Sequence, residues 1–226
     1  MPDLDFYALI VCITKPSVDF QKGSICDLWT SYTTSVMEIT ASIDIHNELI
    51  AIASTNISNN LDVIDNLNII IESANTIVDR ACLLVTNTHT VLNNPYSLNR
   101  IVRDIGYDTN TSLLRHSDTI ARDTSRIFRK ATDILFNHKH HNINHNVNCN
   151  FNCNFNTQCA LEIKSSADEV VTKSYRIINK TNNEIEANKK LQAGSLSSWV
   201  SWEYAGVSAT AICTAAILII SFYNWH

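Results

Sequence analysis

Glycine and proline are nearly missing from this chain, with four and three copies in 226 residues. Turn-rich β folds need both as punctuation, so their scarcity argues for long helices. An excess of positive charge is missing too. Lys and Arg number 17 against 22 Asp and Glu, for a net charge of −5, which gives no reason to expect a nucleic-acid partner. No GxSxG, P-loop, GxGxxG or HExxH motif is present. His46 and His89 stand isolated, and His46 falls on an apolar seam, where it reads as a satisfied core histidine rather than a base. No catalytic residue, cofactor or small-molecule substrate is therefore expected. The N-terminal stretch also lacks the features of a signal peptide: Phe6 to Thr14 is short, and Asp3 and Asp5 stand where positive charge belongs. The expectation is a cytosolic N-terminus, seven cysteines present as thiols, and unused sequons at Asn56, Asn110 and Asn179.

What the chain does have is an uncharged apolar run, Ala205 to Tyr223. A helix of that length spans roughly 28 Å, which suits a thin bilayer such as the endoplasmic reticulum. Trp199, Trp202 and Tyr204 flank it on one side, and Phe222, Tyr223 and Trp225 on the other, as interfacial aromatic belts do. The other reading of such a run is a buried core helix. The expectation is a single-pass anchor in an endoplasmic reticulum or Golgi membrane, with little beyond it. Within the run, Ala205, Ala209 and Cys213, and likewise Gly206, Thr210 and Thr214, are spaced by four, as small-residue contact stripes are.

Upstream, apolar residues recur at helical spacing. A first helix is read from Cys26 to about Ala53 on Tyr32, Val36, Ile39, Ile43 and Ile50, weakly interrupted at Ser58-Asn59-Asn60. A second continues through Ile57, Leu61, Ile64, Leu67, Ile71, Ala74, Val78, Ala81 and Val85 to the stop at Asn93-Asn94-Pro95. Ser97 is placed to cap a short helix ending at Gly106. Residues 1–106 thus form an N-terminal cytosolic helical region. The heptad helix at 107–137 has Leu113, Ser117, Ile120, Thr124, Ile127, Ala131 and Ile134 on its seam, with small polar residues at every second layer. Such a seam asks for helical partners, in its own chain or in others.

Residues 138–158 differ in character. Asn alternates with Ile143, His145, Val147, Cys149, Phe151, Cys153 and Phe155. Asn competes with its own backbone, so a loose loop is expected. His138, His140, His141 and His145 precede Cys149, Cys153 and Cys159, but the spacing matches no zinc pattern and no metal site is assigned. Helical spacing resumes over 159–203 on Ile163, Ala167, Val170, Ser174, Ile177, Thr181 and Leu191, and leads to the anchor at 204–223. This second seam thins after Thr181, where Glu184, Asn188, Ser195 and Ser198 fall on it. The fold class is all-α: an N-terminal helical bundle, long heptad helices and a single C-terminal transmembrane helix.

The stretch Val170-Val171-Thr172-Lys173-Ser174-Tyr175-Arg176-Ile177-Ile178, then Leu191-Gln192-Ala193-Gly194 and Glu203, resembles the Sec-twenty type of tail-anchored Q-SNARE. Ser125-Arg126-Ile127-Phe128 resembles the start of the same motif, so the likeness covers roughly 125–223. A second likeness exists: Ile120-Ala121-Arg122-Asp123-Thr124-Ser125-Arg126-Ile127 is similar to a stretch of Vti-type Q-SNAREs. The chain departs from the family where the Asn-rich tract splits the motif and where Ser195-Leu196-Ser197-Ser198 replaces juxtamembrane basic residues. The resemblance implies one helix joining three SNARE partners in a fusion bundle for endoplasmic reticulum–Golgi transport. It also implies that helices 26–92 form a regulatory bundle or one that binds a tethering complex. It makes Ile163, Ala167, Val170, Ile177, Thr181 and Leu191 interface residues and Ser174 the polar register layer. A self-associating structural or adaptor membrane protein is the alternative.

Overall fold

The computed structural model describes the backbone of residues 25–94, 102–141 and 149–223, and the side chains of 25–94, 109–137, 154–191, 193 and 194. Among the described residues every regular element is a helix: α1 (Ile25–Ser58), α2 (Val63–Asn93), α3 (Val102–His141) and α4 (Cys149–Tyr223). The chain divides into two compact units, Met1–Glu184 and Ile185–His226.

In the first unit, a few polar pairs fix how the helices run. The Tyr32 hydroxyl meets Thr88 Oγ1 at 2.6 Å, Asn87 donates to Ser35 Oγ at 2.9 Å, and Asn56 donates to Asn66 at 3.1 Å, so α1 and α2 are antiparallel. Lys130 pairs with Glu162 at 2.8 Å, and Asn47 donates to Asp168 at 2.6 Å, which sets α4 against both α3 and α1. With α2 packed on α3, the ring closes in the order α1, α2, α3, α4. This is an up-down-up-down four-helix bundle, in which each helix neighbours the next and α1 and α3 lie on a diagonal.

The break between α1 and α2 is complete rather than weak. Asn60 and Asp62 adopt left-handed φ of 54° and 36°, a region that Asn and Asp tolerate better than most residues. Asn66 holds the turn by donating to the carbonyls of Leu61 and Asp62, each at 3.1 Å. The turn lifts Leu61 and Ile64 out of the core, and both are exposed. The expected Leu67, Ile71, Ala74, Ala81 and Val85 are buried and Val78 is half-buried, and Ile70, Ile77, Leu84 and Val91 join them in the α2 seam. Asn94 ends α2 in an extended conformation, as the residue before Pro95 must.

Two expected boundaries move. α3 starts at Val102 and runs through Gly106, so no short helix ends there; a single glycine costs a helix only about 1 kcal/mol, which the rest of α3 outweighs. The Asn-rich tract is largely helical as well, since α3 extends to His141 and α4 begins at Cys149. Asn156 is buried there and Cys159 just after it, so packing overrides the poor propensity of Asn. Among the described residues no group of His, Cys, Asp and Glu is arranged to hold a metal ion. Cys26 and Cys159 are free thiols, but Cys82 is disulfide-bonded. The expectation of seven thiols fails at that position, because it rested on compartment and not on which sulfurs the fold brings together.

In the second unit α4 continues as helix to Tyr223. Ile185 and Asn188 are buried, and Lys189 pairs with Glu186 at 3.1 Å on the surface. Among the described residues no helix is long and apolar enough to cross a membrane. The run 205–223 and the aromatics Trp199, Trp202, Tyr204, Phe222, Tyr223 and Trp225 have side chains outside the described residues, as do Ser195 and Ser198.

Candidate functional site

The register set by these polar pairs sorts the core into layers. Ile43, Ile77, Ile120 and Val170 share one level, and Ile50, Ile70, Ile127 and Ile163 share another one heptad away. Between them lie Asn47, Ala74, Thr124 and Ala167. On the far side of the first lie Thr40, Ala81, Ser117 and Ser174. All sixteen side chains are buried. Large β-branched layers therefore alternate with layers of small residues across all four helices.

The two kinds of layer contribute unequally. Each fully buried Ile or Val is worth about 1.5–3 kcal/mol against exposure. The small layers add little apolar area and bring hydroxyls into the core. Most of these satisfy themselves by donating to the carbonyl one turn back: Thr40 to Val36 at 2.7 Å, Thr124 to Ile120 at 2.7 Å, Ser174 to Val170 at 2.8 Å, and Thr181 to Ile177 at 2.9 Å. Such bonds leave nothing to reach across the bundle. Ser117 Oγ is the exception, buried without a hydrogen-bond partner.

Charged groups gather where α4 meets its neighbours. Burial pushes the Asp123 carboxyl above its ordinary value, against the pull of Arg126 at 3.0 Å and with the help of Glu169 on α4. Asp44 is raised by burial and by Asp168 and Glu48, while Tyr175 opposes the shift. His116 is lowered by burial and by Arg176, Lys173, Lys180 and Arg115. Lys130 is raised and Glu162 lowered by the hydrogen bond they share.

The seam residues read from sequence lie within this arrangement. Leu113, Ser117, Ile120, Thr124, Ile127, Ala131 and Ile134 are buried, as are Ile163, Ala167, Val170, Ser174, Ile177 and Thr181. Leu191, further along α4, is 40 % exposed. The partner helices that both seams ask for are found in the same chain. His46 is half-buried with its Nδ1 unbonded, so it is not a satisfied core histidine. His89 is half-buried. A shallow groove between α1 and α2 is lined by Thr30, Ser31, Thr34, Ser35, Glu38 and Arg80, a hydroxyl-rich surface with no histidine or cysteine to act on a substrate. Among the core residues that sequence reading missed are Ile70, Ile77 and Leu84. They sit one position before Ile71, Val78 and Val85; Ile71 and Val85 are buried beside them and Val78 is half-buried, so the buried stripe of α2 is wider than the seam read from sequence.

No protein-family model matches the chain, and comparison with curated proteins and with solved structures finds no match either.

Proposed function

We propose that this protein is a non-catalytic, membrane-anchored helical scaffold: a closed four-helix bundle held at a lipid surface by the apolar run Ala205–Tyr223. The observation that carries this reading is that α1 and α2 already fill the seams of α3 and α4, so the bundle is complete and presents its outer faces. The test is fractionation of the full chain and of a form lacking 205–223. The full chain is expected to stay in the membrane pellet through an alkaline wash. The shortened form is expected in the supernatant, with helical circular dichroism. Recovery of the full chain in the soluble fraction overturns the reading.

A second reading is favoured by the small layer at Ser174. In it, α4 leaves its own bundle and contributes the segment around 163–191 to a Q-SNARE-type complex in endoplasmic reticulum–Golgi transport, as the motif likeness implies. Layers of Ser, Thr and Ala lose little apolar contact when a helix is exchanged. Hydrogen exchange distinguishes the two readings. When α4 moves to three SNARE partners, amides in α1 and α2 lose protection while those of α4 keep it. Unchanged protection in α1 and α2 with every cognate set leaves the first reading alone.

A further inference from the structure

The two diagonal helices carry opposite charge on their outer faces, each beside an apolar stripe. On α1, Ile45, Leu49 and Ile52 are exposed at i, i+4, i+7 spacing; Ile45 is 61 % and Ile52 59 % accessible. α1 has Asp27, Glu38, Asp44 and Glu48 and neither Lys nor Arg. On α2, exposed Ile69 and Glu72 fall level with Ile52 and Leu49. On α3 the exposed stripe is Leu114, Phe128 and Leu135, at heptad positions with half-buried Ala121 between them; Phe128 is 52 % accessible. Beside it, at the same heptad interval, stand the exposed Arg115, Arg122 and Arg129, which outnumber the exposed Asp118 one turn from Leu114. Exposed aliphatic stripes at helical spacing mark docking surfaces, and flanking charges of opposite sign select the partner.

We infer that the acidic apolar face of α1 in one copy docks on the basic apolar face of α3 in a second copy. The inference rests on the scaffold reading and supplies its partner. The occupant is a second copy because the complement of the α1 face, in stripe spacing and in charge, is present on the same chain. α1 and α3 lie diagonally, so their outer faces point away from each other and one copy cannot satisfy both. The contact is heterologous: each copy keeps one face open, and assembly continues as a chain or closes as a ring.

The experiment is sedimentation velocity on the full chain in detergent micelles, with folding checked by circular dichroism. It is independent of whether the anchor inserts in cells, so it fails separately from the fractionation test. The unaltered chain is expected to grow beyond a dimer with concentration and to shrink with added salt. Glu48→Arg with Glu72→Arg, or Arg122→Glu with Arg129→Glu, is expected to weaken association by about tenfold or more. The decisive sample is the equimolar mixture of these two variants. One then has two basic faces and the other two acidic faces, so neither grows alone and the mixture regains growth as an alternating chain. Combining all four substitutions in one chain restores growth. A single species at every concentration overturns the proposal, and so does a closed dimer indifferent to these charges. Loss of binding to phosphatidylserine vesicles in the Arg variant, with the unaltered chain remaining single, assigns the α3 face to lipid and also overturns it. If a charge-reversed variant loses helicity, Phe128→Ser and Ile45→Ser replace the two pairs; each alone is expected to associate more weakly, and their mixture stops at a one-to-one pair because the two altered faces do not complement each other.

Discussion

The α1–α2 hairpin and the α3–α4 hairpin share one core but are built with different chemistry. Three polar pairs join the first across its interface, Tyr32 with Thr88, Ser35 with Asn87, and Asn56 with Asn66. It also buries Trp29 edge-on to Tyr32 at 6.0 Å. Its charges are nearly all acidic, with Arg80 the exception on α2. The second hairpin is joined by the Lys130–Glu162 ion pair and carries several arginines and lysines on its outside. Neutral buried hydrogen bonds do not depend on salt, whereas exposed ion pairs do. The first hairpin is accordingly the half indifferent to salt, and the junctions of α4 are where pH and ionic strength act.

Three single substitutions, one double-mutant cycle and a pH series break or sharpen that contrast. Ile120→Ala empties the central large layer and is expected to cost about 2–5 kcal/mol in urea unfolding, the largest effect of the set. Ser117→Ala, one layer away, is expected to move the other way. It removes a buried hydroxyl without a partner and raises stability by about 1 kcal/mol. A loss of stability there means that the hydroxyl has a partner in solution. Tyr32→Phe in the first hairpin deletes a 2.6 Å buried hydrogen bond and is expected to cost about 1 kcal/mol at any salt concentration. A double-mutant cycle of Lys130→Met and Glu162→Gln is expected to give only a few tenths of a kcal/mol, vanishing in high salt, because both side chains are substantially exposed.

The pH dependence has two opposing parts. Asp44 and Asp123 hold their protons more tightly in the fold than their ordinary value of 3.8 implies. Their contribution is therefore full below that value and is lost as pH rises through the folded values. Glu162 is lowered from 4.5, so its contribution is present above that value and is lost as pH falls through the folded one. Unfolding midpoints followed from about pH 3 to about pH 7 should separate the two. Asp123→Asn flattens the fall on the alkaline side, and Glu162→Gln flattens the fall on the acid side.

Much of the helical architecture was legible because it follows from periodicity. The α1 seam and the alternation of large and small residues along α3 and α4 repeat every seven positions, and burial follows them. What was not legible depended on single local events. The left-handed turn at Asn60 and Asp62 takes Leu61 and Ile64 out of the core, and α2 buries Ile70, Ile77 and Leu84 in addition to Ile71 and Val85. The Asn tract was misjudged because propensity was weighed without the packing that buries Asn156 and Cys159. The closure of both seams within one chain could not be read either, since a heptad pattern specifies that a partner helix is needed and not which one. For the same reason the groups that meet across α4, such as Asp44 with Asp168 and Asp123 with Glu169, are invisible until the register is known.

The tight connection at Asn59–Asp62 also has a consequence in time. Its contacts are local, with Asn66 reaching back to Leu61 and Asn56, and local contacts form early. The acidic pair of helices can close while the rest of the chain is still being synthesised, and α3 and α4 would then assemble against a finished template. The order of synthesis thus favours the intramolecular bundle before any outside helix can compete for the same groove.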